Sequence, residues 1–331
     1  MTTHSVRHSI PADILALSHE RDELRKRGQY ARADALKKLI EDAGYGIKDN
    51  PRGAHLTILP SVEVDGTLYR MARQVPSLLN ESDTCLFSVQ ILANNCAEQA
   101  RRCVESVFRH VGERPIEVLL IDNASQDELN EWAEEVQRDT SLLHLLHSSR
   151  VMGEAEARNL GLKQSRGRYI LLLDPGIELT GDIFAPLARL LERAEVGIAG
   201  PQGLRTDDLR HFEESASDED EVEAITGTCM AFRRKLLKKV GLFDERYRYP
   251  FYMDIDFNFA VRECGVQAVV AHDLPFIRHP FQSNTALTAE ERARLTKRNF
   301  YRFLEKWGDR EDLLLASFEE DEEDEADEAD E

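Results

Sequence analysis

Several features that would mark a function class outright are missing from this 331-residue sequence. There are only five cysteines, Cys85, Cys96, Cys103, Cys229 and Cys264, with no Cys-x-x-Cys pair and no Cys/His zinc spacing. An odd, scattered set excludes a disulfide framework and a zinc ribbon, and reads as reduced thiols in a cytosolic protein. No apolar run approaches the ~20 residues of a membrane span. The N-terminus, MTTHSVRHSIPADIL, lacks the charged-then-apolar layout of a signal peptide, so a soluble, cytoplasmic protein is expected. Positive charge is also scarce. A formal net charge of −20 argues against general affinity for nucleic acid or anionic membranes, which needs clustered Lys and Arg. Much of the acidity lies in EEDEEDEADEADE (319–331) and EESASDEDEVE (213–223), both expected to be disordered because like-charge runs bury no apolar surface.

What is present falls into zones. Residues 11–50 carry apolar residues at helical spacing, Ile14, Leu17 and Leu24, then Ala33, Leu36, Leu39 and Ile40. Gly28 separates the two runs and Gly44 and Gly46 stop the second, which predicts a helical hairpin module over residues 1–53. Residues 54–85 read as a β-rich connector. From residue 86 the pattern alternates. LFSVQIL, IEVLLID, LLHLLHS and RYILLLD are short apolar strands, and AEQARRCVESVFRHV, QDELNEWAEEVQRD and GEAEARNLGLKQS are helices. Such alternation predicts an α/β, doubly wound, mostly parallel sheet covered on both faces. Residues 86–306 form this main domain, and 307–331 an acidic tail that reads as a solubilising extension.

In doubly wound sheets ligands bind beyond the carboxyl ends of the strands. Those ends here are Asn94-Asn95, Asp122-Asn123 and Asp174. Asp122 either points into the crevice or merely ends its strand. Arg158 and Asn159 sit on the helix before the Asp174 strand, where an arginine suits a phosphate or carboxylate. Asp254 and Asp256 open a later helix, and both could simply complement its dipole. Two residues apart they point different ways, so one can face a cleft and act as a general base while the other caps. His279, in FIRHP, follows a strand-like run.

The order of these segments resembles family-2 glycosyltransferases of the GT-A fold, over residues 86–306. The matching stretches are FSVQILANN, IEVLLIDNASQD, MGEAEARNLGLKQSRGRYILLLDPG, GTCMAFRRKLLKKVGLFDERY, YMDIDFNFAVRECG and FIRH. The resemblance implies that Asp122 contacts the base of a nucleotide-sugar donor, with Asn94 and Asn95 lining the nucleotide pocket and Arg158 near the diphosphate. It implies that Asp174 is the first carboxylate of a DxD motif, that Asp254 is the catalytic base with Asp256 close behind, and that His279 completes a Mg²⁺ or Mn²⁺ shell. A divalent cation on oxygen ligands would stabilise the leaving diphosphate. Three positions depart from the family pattern. The first strand ends in Leu92-Ala93-Asn94-Asn95, the second DxD carboxylate is Gly176, and Met253 replaces the glutamate before the base. Glu178 is a substitute metal ligand if the chain stays extended, because it then shares a face with Asp174, but Pro175-Gly176 equally predicts a turn.

A second resemblance covers residues 27–53, RGQYARADALKKLIEDAGYGIKDNPRG, which is similar to the C-terminal helical segment of cysteinyl-tRNA synthetases. It implies either tRNA contact or a helical module reused for protein docking, and the near-balanced charge favours docking. Three readings follow. The leading one is an inverting glycosyltransferase acting on a nucleotide-sugar donor and an acceptor the sequence does not identify. A catalytically lapsed scaffold comes next, and an RNA-associated protein is third.

Overall fold

The computed structural model describes residues 10–50, 53–249, 251–280 and 288–315, and the chain divides into two compact units, Met1–Gln74 and Val75–Glu331. In the first unit, helices α1 (Ala12–Lys26) and α2 (Tyr30–Asp42) form the expected hairpin, and Gly28 takes a φ of +72° between them. Strands β1 (Tyr45–Asn50) and β2 (Gly53–Ile58) pair antiparallel, followed by the short hairpin of β3 (Val62–Val64) and β4 (Thr67–Tyr69). Arg21, 2% exposed, reaches from α1 to grip Asp49 of β1 with both terminal nitrogens, at 2.6 and 2.9 Å. The hydrogen bonds from Arg21 hold the Asp49 carboxyl below the ordinary range. The β1–β2 pair belongs to this same unit.

The second unit builds its sheet from β5 (Cys85–Ala93), α3 (Ala97–His110), β6 (Ile116–Asn123), α4 (Leu129–Asp139), β7 (Leu143–Ser148), α5 (Glu154–Gln164) and β8 (Gly167–Leu173). It continues through β9 (Ile177–Leu179), α6 (Phe184–Glu192), β10 (Val196–Gly200), β11 (Gly203–Arg205), β12 (Glu213–Glu214), β13 (Glu221–Val222), β14 (Ala224–Ile225) and β15 (Cys229–Arg233). Then come α7 (Leu237–Val240), α8 (Met253–Arg262), β16 (Gln267–Val270), β17 (Phe276–Arg278) and α9 (Ala289–Trp307). Within this unit the strand order is β13-β16-β10-β15-β8-β5-β6-β7. Strands β8, β5, β6 and β7 run parallel, and β15 is antiparallel to both β8 and β10.

The period-2 alternation of the strands sorts the core into two layers. Phe87, Val89 and Ile91 of β5 and Leu171 and Leu173 of β8 face α3, α4 and α6. Ile170 and Leu172 of β8 and Met230 and Phe232 of β15 face α5 and α8. Gly161 lets α5 lie close to the sheet, since a Cβ there would come within 2.8 Å of the Gln90 side chain and of Ile121. Helix α9 closes over α8 through Phe303 and Trp307, which pack on Ile255 and Phe259.

One expectation of disorder needs correction. Residues 213–223 contain β12 and β13, because β13 pairs with β16, Val222 is buried, and Arg205 binds both Glu219 and Glu223. The packed part of the chain also extends beyond residue 307. Leu313 and Leu314 lie against the α8–α9 cluster, and the Leu315 amide donates to Glu223 at 2.8 Å. Residues 316–331, which hold most of the acidic tail, lie outside the described residues.

Candidate active site

The parallel strands deliver their carboxyl ends to one edge of the sheet, and there the loops are stitched together. Asn94 donates to the carbonyl of Asn123, the Asn95 amide donates to Ser125 Oγ at 3.0 Å, and Gln126 donates to Asn95 Oδ1 at 2.7 Å. Asn95 and Ala124 both sit at positive φ, 51° and 63°, so these loops are tightly wound. Asp122 is fully buried. One of its oxygens accepts from the Ser125 amide at 2.9 Å and the other meets His147 Nδ1 at 2.8 Å. The structure thus gives Asn94, Asn95 and Asp122 loop-building partners, and at this position His147 is the more exposed of the pair.

Asp174 leaves β8 into a turn closed by the Ile177 amide on the Asp174 carbonyl at 3.0 Å, with Pro175 and Gly176 at its corners. The chain is not extended here, so Glu178 does not share a face with Asp174. The turn feeds β9, which pairs antiparallel with β17 so that Ile177 lies opposite Arg278. One step further the His279 amide donates to the Gly176 carbonyl at 2.8 Å. The residue placed beside Gly176 is therefore His279. Its Nε2 lies 2.7 Å from Glu178, which also has Arg102 at 3.9 Å. Asp174, Gly176, Ile177, Arg278, His279 and Pro280 line a cavity of about 360 Å³. From below, Arg158 points its guanidinium at Asp174, 3.6 Å away, and donates to the Gln90 carbonyl at 3.2 Å. Arg158 is 3% exposed and its Nε has no hydrogen-bond partner among the described residues. Burial raises the Asp174 carboxyl, against the lowering effect of Arg158 and Arg278.

Asp254 stands on the first turn of α8, after two non-glycine residues held at positive φ, Phe251 at 88° and Tyr252 at 68°. Asn299 pins that strained approach from α9 by donating to the carbonyls of Tyr249 and Phe251 at 3.1 and 3.2 Å. The Gly227 amide donates to Asp254 at 2.7 Å and the Ile255 amide at 3.0 Å. The next residue after Gly227, Thr228, accepts from the Asp174 amide at 2.8 Å. Two consecutive residues thus hold two carboxylate positions that lie 80 apart in the chain. Burial raises the Asp254 carboxyl despite those N–H donors.

Asp256 requires a correction. Its side chain is 6% exposed and turned into the α8–α9 packing, where Lys306 Nζ binds it at 2.9 and 3.1 Å and Trp307 Nε1 at 2.8 Å. There it fastens two helices to one another.

Glu154 and Asn258 carried no signal in the sequence reading. Glu154 opens α5 and is coupled electrostatically to Arg158, Asp174 and Asp254; burial, mainly, pushes its carboxyl up to about 7. Three asparagines clamp the surrounding segments by exchanging both hydrogen bonds with one peptide unit or residue. Asn123 holds Met152 (2.7 and 3.1 Å), Asn159 holds Phe243 (3.0 and 2.9 Å), and Asn258 holds Ile225 (3.0 and 2.9 Å).

Among the described residues no three His, Cys, Asp or Glu side chains converge as a metal-binding group. Asp174 and His279 do line one cavity. Glu178 meets the ring through His279 Nε2 at 2.7 Å, a carboxylate–imidazole contact of the kind that fixes a ring's orientation. A carboxylate and an imidazole fit a cation whose other ligands are phosphate oxygens and water, as magnesium and manganese sites commonly use.

Residues 88–241 match the family model for Glycosyl transferase family 2. Among known relatives, glycosyltransferase AglE of Haloferax volcanii is 33% identical over 114 residues, 34% of this chain and 35% of that protein. Glycosyltransferase GlyG of Streptococcus pneumoniae is 28% identical over 89 residues, 27% of this chain and 29% of that protein. The matched stretches thus span only about a third of these relatives' length. Among solved structures, GalNAc-T7 with UDP, GalNAc and Mn²⁺ superposes with a TM-score of 0.59 at 17% identity, covering 69% of this chain and 49% of that one. The mannosyltransferase PcManGT of Pyrobaculum calidifontis, in complex with GDP-Man and Mn²⁺, gives 0.51 at 18% identity, covering 71% and 69%. By sequence over residues 88–241, and by fold over about two-thirds of its length, the chain is similar to family-2 glycosyltransferases of the GT-A type.

Proposed function

We propose that this chain transfers a sugar from a nucleotide-sugar donor to an acceptor hydroxyl with inversion. The observation that carries the proposal is the 226–228 segment, which holds Asp254 with one residue and the Asp174 backbone with the next, at the strand ends where this fold binds ligands. Asp254 takes the proton of the acceptor hydroxyl as its oxygen bonds to the anomeric carbon. The sugar–phosphate C–O bond breaks, and its electron pair leaves with the diphosphate. Arg158 is buried with an Nε that has no partner among the described residues and a guanidinium directed at Asp174, which suits neutralising that leaving group. Asp174 and His279 would hold a divalent cation, which when bound supplies further charge to the leaving diphosphate. Attack from the side opposite the diphosphate inverts the anomeric centre. Asn94, Asn95 and Asp122 are assigned to the nucleotide side through the loops they build, with Asp122 acting on a base through His147.

Calorimetric titration with UDP and GDP, with and without Mn²⁺, tests the proposal. Metal-dependent binding that is lost in Asp174→Ala supports it, and binding of neither nucleotide overturns it. Gly176 and Met253 in place of the expected carboxylates favour a second reading, a scaffold that binds nucleotide without turnover. Nucleoside diphosphate release from UDP- and GDP-sugars separates the two readings. For the first unit we propose protein docking, supported by exposed Leu15, Tyr30 and Leu39 on its helices. A tRNA gel shift at physiological salt that shows a complex would overturn that assignment.

A further inference from the structure

Helix α5 follows β7 and precedes β8, so it runs back along the sheet and its first turn lies at the carboxyl ends of the strands. Glu154 and Arg158 are four residues apart and share one face of that helix. Arg158 is the inner of the two, level with Asp174 at 3.6 Å. Glu154 lies one turn nearer the helix start, about 6 Å further out over the ligand crevice. That start is firmly placed. Asn123 clamps Met152 through both hydrogen bonds, and the Glu154 amide donates to the Arg248 carbonyl at 3.2 Å. A Cβ on Gly153 would come within 3.1 Å of the Arg248 backbone, so the loop and the 248 segment are in close contact.

Glu154 is half-buried at that helix start, within electrostatic reach of three charged groups. Those groups are Arg158 and Asp174, assigned above to the diphosphate, and Asp254, assigned to the acceptor proton. In a direct displacement the transferred sugar must lie between its leaving group and its attacking hydroxyl. Glu154, one helical turn out from the Arg158 that reaches Asp174 and near enough to Asp254 to feel its charge, stands at the edge of that space.

We propose that Glu154 recognises the donor sugar, its carboxyl hydrogen-bonding to ring hydroxyls and so helping to select which sugar is transferred. This rests on the glycosyltransferase reading and deepens it. A carboxyl beside the diphosphate alone would add repulsion to an anionic ligand, whereas one opposite hydroxyl groups meets donors it can bind. Its displacement toward neutrality, to about 7, lets the carboxyl donate as well as accept at physiological pH.

The test compares the wild-type chain with Glu154→Gln and Glu154→Ala by calorimetry. The ligands are UDP and GDP, then UDP-glucose, UDP-galactose, UDP-GlcNAc and GDP-mannose, all in Mn²⁺. Glu154→Ala should keep nucleoside diphosphate affinity within about twofold and lose about tenfold or more for the preferred sugar nucleotide, the worth of a hydrogen bond to a carboxyl group. Glu154→Gln, which is isosteric and confirmed as folded by its melting temperature, should retain part of that affinity and change the preference between the glucose and galactose epimers. Unchanged affinity for the sugar nucleotide in both variants overturns the proposal. An equal loss for the bare diphosphate also overturns it, by showing that Glu154 acts on the diphosphate or the fold. Failure of the wild type to bind any nucleotide overturns the glycosyltransferase reading itself, and the inference with it.

Discussion

Asp254 and Asp256 are two residues apart, yet substituting them should produce opposite phenotypes. The Asp256 carboxylate accepts three hydrogen bonds, two from Lys306 Nζ and one from Trp307 Nε1. Lys306 is 41% exposed, so solvent screens its share, which is worth about 0.5–1 kcal/mol. The indole N–H is buried, and orphaning it in Asp256→Ala costs about 1–3 kcal/mol. Together these come to about 3 kcal/mol, which lowers the melting temperature of a unit this size by about 9 °C. Asp256→Asn keeps an oxygen for the indole and should lose about half as much. Asp254→Asn should melt close to wild type, while turnover falls by about 10²–10⁴-fold, the range for removing a general base. Differential scanning calorimetry alongside nucleoside diphosphate release reads both effects. An Asp256→Ala protein that melts within about 2 °C of wild type but has lost turnover would refute the assignment of Asp256 to helix fastening.

Four further outcomes are expected. Because the folded protein holds the Glu154 proton up to about 7, against an ordinary 4.5, stability should fall as pH rises across that window; Glu154→Gln should flatten the trend in urea midpoints at about pH 5 and about pH 8. The raised Asp254 carboxyl must be deprotonated to act, so turnover should decline with falling pH from above the ordinary carboxylate range, as a pH–rate profile would show. Asn258→Leu should cost about 2–4 kcal/mol in urea unfolding, since it strands the buried N–H and C=O of Ile225, and should slow turnover through the 226–228 segment. His279→Ala, or chelation with EDTA, should remove the Mn²⁺-dependent part of UDP or GDP affinity in calorimetry and leave the remainder.

The sheet was legible because its information is local. Phe87, Val89 and Ile91 alternate with Ser88 and Gln90 along β5, and turn residues bracket each strand. Asp174 and Asp254 drew notice in the sequence because they coincide with a strand end and a helix start. The site's closing contacts are non-local. The pairing of β9 with β17 that sets His279 beside Gly176 spans about 100 residues, and no neighbouring residue announces it. Asp256 looked equivalent to Asp254 because its partners, Lys306 and Trp307, lie on a helix 50 residues later. Residues 213–223 looked unfoldable because Arg205, which neutralises two of their glutamates, is outside the run. Glu154 was hidden by ordinariness, since an acid in the first turn of a helix already has a reason to be there.

The asparagine clamps on Met152, Phe243 and Ile225 have a consequence on the clock of solvent exchange. Each carboxamide offers a peptide the same two-bond handshake that a neighbouring strand would offer. The amide hydrogens of these three residues should therefore leave for deuterated solvent at the slow pace of the sheet rather than the fast pace of surface turns. The rim of the crevice would then breathe only when the whole sheet does, and a sugar nucleotide would arrive at a shape that is already standing.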